Sequence, residues 1–358
     1  MKHALRSLLL ILLLAPAAPT QLTYPRPVEV KESFLKLLDR PKVPLDAKAD
    51  GTPVVHGSVA TEKLSFATER KADGTVERVP TLVFRPAEPA GRLPAVIVLH
   101  GTGANKEAMR GWLAELARRG FVALAFDARY HGERAGGPNH GTHAYNEAVI
   151  RAWRANSGED QEHPFYYDTC WDAWRAIDYL QGRPDVDPER IGMLGVSMGG
   201  IETWLAASVD DRIKVAVPII SVQCFRWTLE HDRWHARSLT IGPAHKAAAA
   251  DQGKSRVDRE VCRALWNKVV PGILGPYDCP SMIRLFAPRP LLVLACENDP
   301  LCPLGGAEMA FDAARSAYRQ ADSEDKLQID VAKHVGHMIT MRHRTAALGW
   351  FERWLKTR

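Results

Sequence analysis

Ser197 stands at the centre of Gly195-Val196-Ser197-Met198-Gly199-Gly200, directly after the apolar run Ile191–Val196 and before a helical pattern through Trp204 and Leu205. A bare G-x-S-x-G arises often by chance, but between a strand and a helix it specifies a sharp turn that presents a nucleophile. Such a turn strains the serine backbone, and side chains at the flanking positions would collide, so glycines occupy them. A hydroxyl is a weak nucleophile until a histidine accepts its proton, and the histidine must be held by a carboxylate. In a strand–helix alternation these partners follow the serine, acid first and histidine second, each after a later strand. Asp299 lies just past the run Leu291–Ala295, and His337 sits in Val335-Gly336-His337-Met338, after the last strand pattern and before the last helix. Glu297 and His334 are rivals for these roles. Glu297 continues the strand and is expected to point away, while the tight turn at Gly336 favours His337. The spacing of His334 and His337 is no metal signature without a third ligand, and no metal is expected. Acyl transfer also needs backbone N–H donors for its oxyanion. One is expected from Met198, beside the nucleophile. The other is expected from Thr102 in His100-Gly101-Thr102-Gly103, which follows the run Ala95–Leu99.

These groups need a scaffold, and the chain supplies one from about Thr81 onward. Ala95–Leu99 and Phe121–Phe126 read as buried strands. Between them Asn105 can cap a helix that places Met109, Trp112, Leu113, Leu116 and Ala117 on one face and stops at Gly120. That is a βαβ unit, which implies a parallel sheet with right-handed crossovers. The alternation continues through a helix marked by Trp171, Trp174 and Ile177, then strands at Ile191–Val196, Val215–Ile220, Leu291–Ala295 and Leu327–Val331. A last helix carries Leu348, Phe351 and Leu355 on one side. Two stretches interrupt the rhythm, residues 132–167 and roughly 222–288, and insertions of this kind usually lie at the ligand-binding end of the strands. The second is rich in basic residues and carries Trp227, Trp234, Trp266, His231 and His235. Read as a cap above Ser197, it would offer flat apolar faces, and Arg226, Arg233 and Arg237 would favour an anionic group nearby.

The whole chain has 358 residues, with 46% hydrophobic and 25% charged, which are globular values that exclude wholesale disorder. At its start Lys2, His3 and Arg6 precede Leu8–Leu14 and the small-residue run Ala15-Pro16-Ala17-Ala18. This is the pattern of a secretory signal peptide, cut near Ala17 or Ala18, so the protein is expected to be secreted or periplasmic, with no membrane span after its removal. The net charge of +5 would then fall to about +3, too little to argue for nucleic acid. The expected organisation is a leader over 1–18, an N-terminal extension over 19–75 and a catalytic domain over 76–358, with its cap insertion near 222–288. Export permits disulfides. Cys296 and Cys302 flank the Asp299 loop and could be bridged or could be two buried thiols; Cys224, Cys262 and Cys279 leave a further pair open.

Taken together, His100–Gly103, Asp127-Ala128-Arg129-Tyr130-His131-Gly132, Gly195–Gly200, Asp299 and Gly336-His337 make the chain resemble the α/β-hydrolase superfamily, from about Thr81 to Trp354. It looks most like the dienelactone-hydrolase and acetyl-xylan-esterase-like branch. The resemblance implies an α/β fold with a mostly parallel central sheet, helices on both faces and a cap, and a Ser197/Asp299/His337 triad that hydrolyses esters. Dienelactone hydrolases proper use a cysteine where Ser197 stands, which disfavours their substrate. The expected substrate is a small-molecule or carbohydrate ester with a short acyl group. No nucleotide motif suggests a cofactor, and none is expected. Two other readings are a serine peptidase of the prolyl-oligopeptidase type and a catalytically silent binding protein. The first commonly carries a propeller that about 60 preceding residues could not form, and the second typically loses triad members.

Overall fold

Val122–Phe126 and most of Leu93–Leu99 are buried on both faces, as strands covered by helices on either side must be. The computed structural model describes residues 24–136, 141–156 and 162–356; the leader expected over 1–18 lies outside them. Among the described residues, ten strands form one sheet: β1 (Lys48–Ala49), β2 (Val54–His56), β3 (Val59–Arg70), β4 (Val76–Pro86), β5 (Leu93–Leu99), β6 (Val122–Phe126), β7 (Val186–Val196), β8 (Ile213–Ile219), β9 (Leu291–Cys296) and β10 (Leu327–Ala332). Their order is β1-β3-β4-β6-β5-β7-β8-β9-β10, with β2 beside β3. Pairing is parallel from β6 through β10 and antiparallel at the β1–β4 end, where β4 joins β6. The stretch 19–75, expected as an N-terminal extension, contributes β1, β2 and β3 to the sheet.

Helices α1 (Pro27–Leu37), α2 (Arg110–Arg118), α3 (Gly141–Arg154), α4 (Tyr167–Gln181) and α5 (Met198–Val209) precede β8. The insertion after β8 folds into α6 (Phe225–Glu230), α7 (His235–Ser238), α8 (Gly242–Asp251), α9 (Arg259–Val269) and α10 (Cys279–Ile283), and α11 (Leu304–Gln320) and α12 (Met341–Phe351) follow. The period of two along β5 sorts the two layers. Ala95, Ile97 and Leu99 face a core shared with Phe34 of α1, Ile177 of α4, Leu205 of α5 and Phe311 of α11. Val96 and Val98 face the opposite core, with Trp112 and Leu116 of α2 and Leu348 and Phe351 of α12. This is the α/β-hydrolase architecture. Asn105 Oδ1 accepts from Ala108 N at 3.2 Å and caps the 3₁₀ turn that leads into α2, where all five expected apolar residues are buried. No helix of the described residues is long and apolar enough to cross a membrane.

A buried cluster of charges ties the antiparallel end of the sheet to α4. Asp172 of α4 pairs with Arg129 Nε at 2.8 Å and with Arg134 Nη1 at 2.7 Å, while Glu69 of β3 meets Arg129 Nη2 at 2.5 Å. Arg40 reaches Asp168 in the same cluster. Burial alone would raise the Asp172 carboxyl, but the two guanidinium groups hold it far below the usual aspartate range. A depressed folded pKa contributes stability that is fully present above the unfolded value of about 3.9 and is lost as pH falls through the folded value. Asp172→Asn should therefore cost roughly 1.5–3 kcal/mol at neutral pH, because Arg129 and Arg134 each lose one buried carboxylate partner while keeping Glu69 and Glu77. Urea midpoints of variant and wild type should keep a constant gap from about pH 7 to about pH 5 and converge in stronger acid. A gap below about 1 kcal/mol at neutral pH would mean that the cluster is solvated rather than coupled.

Candidate active site

At the carboxyl end of β7 the chain turns through Ser197 into α5 with φ 54° and ψ −112°, outside the regions a serine ordinarily occupies. The crowding around it is severe. A Cβ at Gly195 would lie 1.9 Å from the Gly199 carbonyl oxygen, and one at Gly199 would lie 2.5 Å from that of Leu99. Only glycine lets β7, α5 and the end of β5 approach so closely. Ser197 N donates to Ile219 O at 2.9 Å, which fastens the turn to β8.

The Ser197 hydroxyl is 2.9 Å from His337 Nε2, and His337 Nδ1 is 2.7 Å from Asp299 Oδ2. The other carboxylate oxygen, Asp299 Oδ1, accepts from Leu301 N at 2.8 Å and Cys302 N at 2.9 Å. Burial pushes the Asp299 carboxyl up, but the hydrogen bond and charge of His337, with the two loop N–H groups, bring it below the ordinary range. It is thus an ionised acceptor, suited to holding Nδ1 protonated and leaving Nε2 free to take a proton. Asn298 N donates to Val335 O at 2.9 Å and joins the Asp299 loop to the His337 loop. Glu297 and His334 pair with each other instead: Glu297 Oε2 accepts from His334 N at 2.7 Å, and the His334 ring points into solvent.

Met198 opens α5, so its N–H is among the donors that a helix start leaves without an intrahelical partner. Thr102 and Gly101 line the same cavity as Ser197. The loop that carries them is held by His100, whose ring Nε2 accepts from Ala128 N at 3.1 Å while Nδ1 lies 2.9 Å from Gly101 O. Burial keeps the His100 pKa below the ordinary histidine value, consistent with a neutral ring that accepts at Nε2. Asp127 secures the far end of the loop: it accepts from Lys106 N at 2.9 Å and Glu133 N at 3.0 Å and pairs with Lys106 Nζ at 2.8 Å. Residues 127–132 therefore act as a brace. The brace was visible in the sequence as a motif, but the role of His100 was not, because its partner at Ala128 becomes adjacent only in the sheet.

The cavity above Ser197 encloses about 690 Å³ and is lined by Val196, Ile220, Leu239, Leu301, Met338 and Ile339, together with Thr102, Thr142 and Thr240. Leu239 and Met338, 68% and 62% exposed, stand at its mouth. Among the described residues, no arginine or tryptophan of the insertion lines it. Arg237 is buried, and Arg226 Nε lies 3.6 Å from Glu230. Trp266 is buried with its Nε1 donating to His245 Nε2 at 3.0 Å, Trp227 stacks on His231, and Trp234 packs on the core. All six cysteines are free and buried. The Cys296 thiol donates to Met338 O and the Cys302 thiol to Ile220 O, both at 3.3 Å. Ligand atoms of Asp299, Cys302 and His337 lie within 4.8 Å of one another, but burial pushes the Cys302 thiol up to about 12 and the Arg237 guanidinium rests against it. Both features oppose a cation there.

Residues 57–230 match the family model for acetyl xylan esterase (AXE1). The Bacillus subtilis protein YtaP is 26% identical over 292 residues, which cover 78% of this chain and 84% of YtaP. The thiohydrolase aneE of Aspergillus aculeatus is 30% identical over 127 residues, 35% of this chain and 33% of that protein. Among solved structures, the acetyl xylan esterase from Paenibacillus sp. R4 superposes with a TM-score of 0.62 at 21% identity, covering 94% of this chain and 96% of that one. The glucuronoyl esterase from Solibacter usitatus gives 0.61 at 17% identity, over 90% and 91%. The sheet order and the helices on both faces give the chain the α/β-hydrolase fold, its residues 57–230 are similar to acetyl xylan esterases, and with these in agreement the chain is a carboxylic-ester hydrolase.

Proposed function

We propose that the protein is a serine esterase that works through an acyl-enzyme on Ser197, with His337 as the base and Asp299 as its orienting acid. The observation that carries this reading is the unbroken line of hydrogen bonds from Asp299 through His337 to a serine held in strained backbone at the floor of a cavity. Ser197 Oγ bonds to the ester carbonyl carbon while its proton passes to His337 Nε2. The carbonyl electrons move onto oxygen, where the N–H groups of Met198 and Thr102 receive the charge. The C–O bond to the alcohol then breaks, and Nε2 returns its proton to the leaving oxygen. Water repeats the sequence on the acyl-enzyme, releases the acid and restores the serine. Asp299 stays ionised throughout, stabilising the imidazolium that forms twice per cycle.

Ser197→Ala should lower kcat by roughly 10⁴–10⁶ and leave the urea midpoint nearly unchanged, since it removes one small side chain from the turn. His337→Ala should be nearly as damaging, whereas His334→Ala, which loses an exposed ring paired with Glu297, should keep most of the activity. A Ser197→Ala enzyme with more than about a tenth of wild-type kcat, or a reversed order of the two histidine variants, would refute the assignment.

For the substrate we propose a short-chain acyl ester of a hydroxyl-bearing alcohol, in keeping with the acetyl xylan esterase match. The three threonines of the wall suit a compact, hydrated group better than a long aliphatic chain. The inserted helices would act as the cap, through Leu239 and Thr240. Export remains part of this reading, resting on Lys2, Arg6, Leu8–Leu14 and the Ala-x-Ala site. Among p-nitrophenyl acetate, butyrate and decanoate, kcat/KM should be highest for the short esters. Decanoate as the best substrate would overturn the acyl assignment, and faster cleavage of proline-containing peptide amides than of any ester would favour a peptidase.

A further inference from the structure

Arg237 belongs to the short α7 of the insertion, yet its side chain turns inward and the residue is only 2% exposed. Among the described residues, no carboxylate comes within ion-pair distance of its guanidinium. Taking such a cation out of water costs several kcal/mol unless its donors are well satisfied. Here neutral acceptors do so. Nη2 donates to Leu301 O and lies 3.5 Å from Cys302 Sγ, and the Tyr166 hydroxyl is a further partner. With the Gln223 amide turned to satisfy both its ends, its oxygen accepts from Arg237 Nε at 3.2 Å and its nitrogen donates to Leu301 O at 3.2 Å.

The position of that carbonyl matters. Leu301 C=O and Cys302 N–H are the two ends of one planar peptide group. Its oxygen is held by Arg237 and Gln223, and its N–H lies on Asp299 Oδ1 at 2.9 Å. Turning this plane would withdraw a donor from Asp299 and rotate Oδ2 away from His337 Nδ1, 2.7 Å distant. A donor on the carbonyl also polarises the peptide, which strengthens the bond its N–H makes. Two and three residues beyond Arg237, Leu239 and Thr240 line the cavity. We propose that Arg237 is a positioning residue: its buried guanidinium clamps the 301–302 peptide, thereby aims Asp299 at His337, and joins the substrate-facing insertion to the catalytic line. It touches neither the substrate cavity nor the reacting atoms. The proposal rests on the triad reading above and reassigns an arginine whose residue type alone suggests an anion site.

The test uses the full-length enzyme and the variants Arg237→Gln, Arg237→Lys and Tyr166→Phe. For acetyl-ester hydrolysis, Arg237→Gln should lower kcat by about 10- to 100-fold, the range expected when a catalytic group is misplaced by about 1 Å, with KM within about threefold. The far-downfield proton NMR line of the Nδ1–H shared by His337 and Asp299 should broaden or move upfield. Arg237→Lys, which keeps a donor, should recover part of both signals. Tyr166→Phe, which removes one partner of Arg237 and no donor on the loop, should show a smaller change of the same kind and carries the test if Arg237→Gln fails to fold. An unchanged NMR line with kcat within twofold would overturn the proposal, as would a loss confined to KM, which would place Arg237 on the substrate. The NMR line reports the Asp299–His337 bond whatever the turnover. Residual activity in Ser197→Ala would thus sink the triad reading separately.

Discussion

Strand β7, the first turn of α5 and the end of β5 meet within contact distance at Gly195 and Gly199, and this crowding fixes where every other part of the site must stand. With the Ser197 backbone locked, its hydroxyl has a single place above the sheet. His337 and Asp299 must come to it from the ends of β10 and β9, although β8 lies between β7 and β9. The loops after β9 and β10 meet there, joined by the bond from Asn298 N to Val335 O. The loop after β5 arrives from the other side of β7, tied by His100 to the chain just beyond β6. Four strand ends thus converge on one hydroxyl, and small loop errors at any of them would open the line of hydrogen bonds.

Charge is distributed to suit this geometry. Asp299 is buried but has three hydrogen bonds, so it remains ionised where an unpartnered carboxyl would protonate. Its neighbour in sequence, Glu297, is occupied by His334 at the surface and stays out of the line. Further from the chemistry, Arg129, Arg134, Asp172 and Glu69 join the antiparallel end of the sheet to α4, which packs beside α5. Interior ion pairs of this kind contribute little net stability against apolar replacements, but they penalise any other register of the elements they join.

Much of the parallel half of the fold was legible because its rules are local: apolar runs, Asn105 as a cap, and glycines at a turn that admits nothing larger. The site was legible for the same reason, since chain order and strand ends dictate where Ser197, Asp299 and His337 can lie. Strands β1–β3 were not. They show no steady alternation of polar and apolar residues, and only pairing with β4 makes Val59–Arg70 a long strand. The arginines and tryptophans of the insertion were also opaque. Residue type says what Arg237 could bind, but its direction is set by where Leu301, Gln223 and Tyr166 lie after packing. Cys296 and Cys302 flank one loop in sequence, yet each thiol faces a different backbone carbonyl.

Those thiols give the molecule a built-in set of reporters. Cys170 lies in α4, Cys262 in α9, Cys279 in α10, and Cys296 and Cys302 bracket the acid loop; all are shielded from solvent. A thiol-alkylating reagent reaches a shielded sulfur only when the surrounding structure opens, so its rate at each cysteine measures the free energy of that opening. Identifying the modified cysteine by mass would then map, without an introduced label, whether the acid loop breathes independently of the sheet or only when the whole domain comes apart.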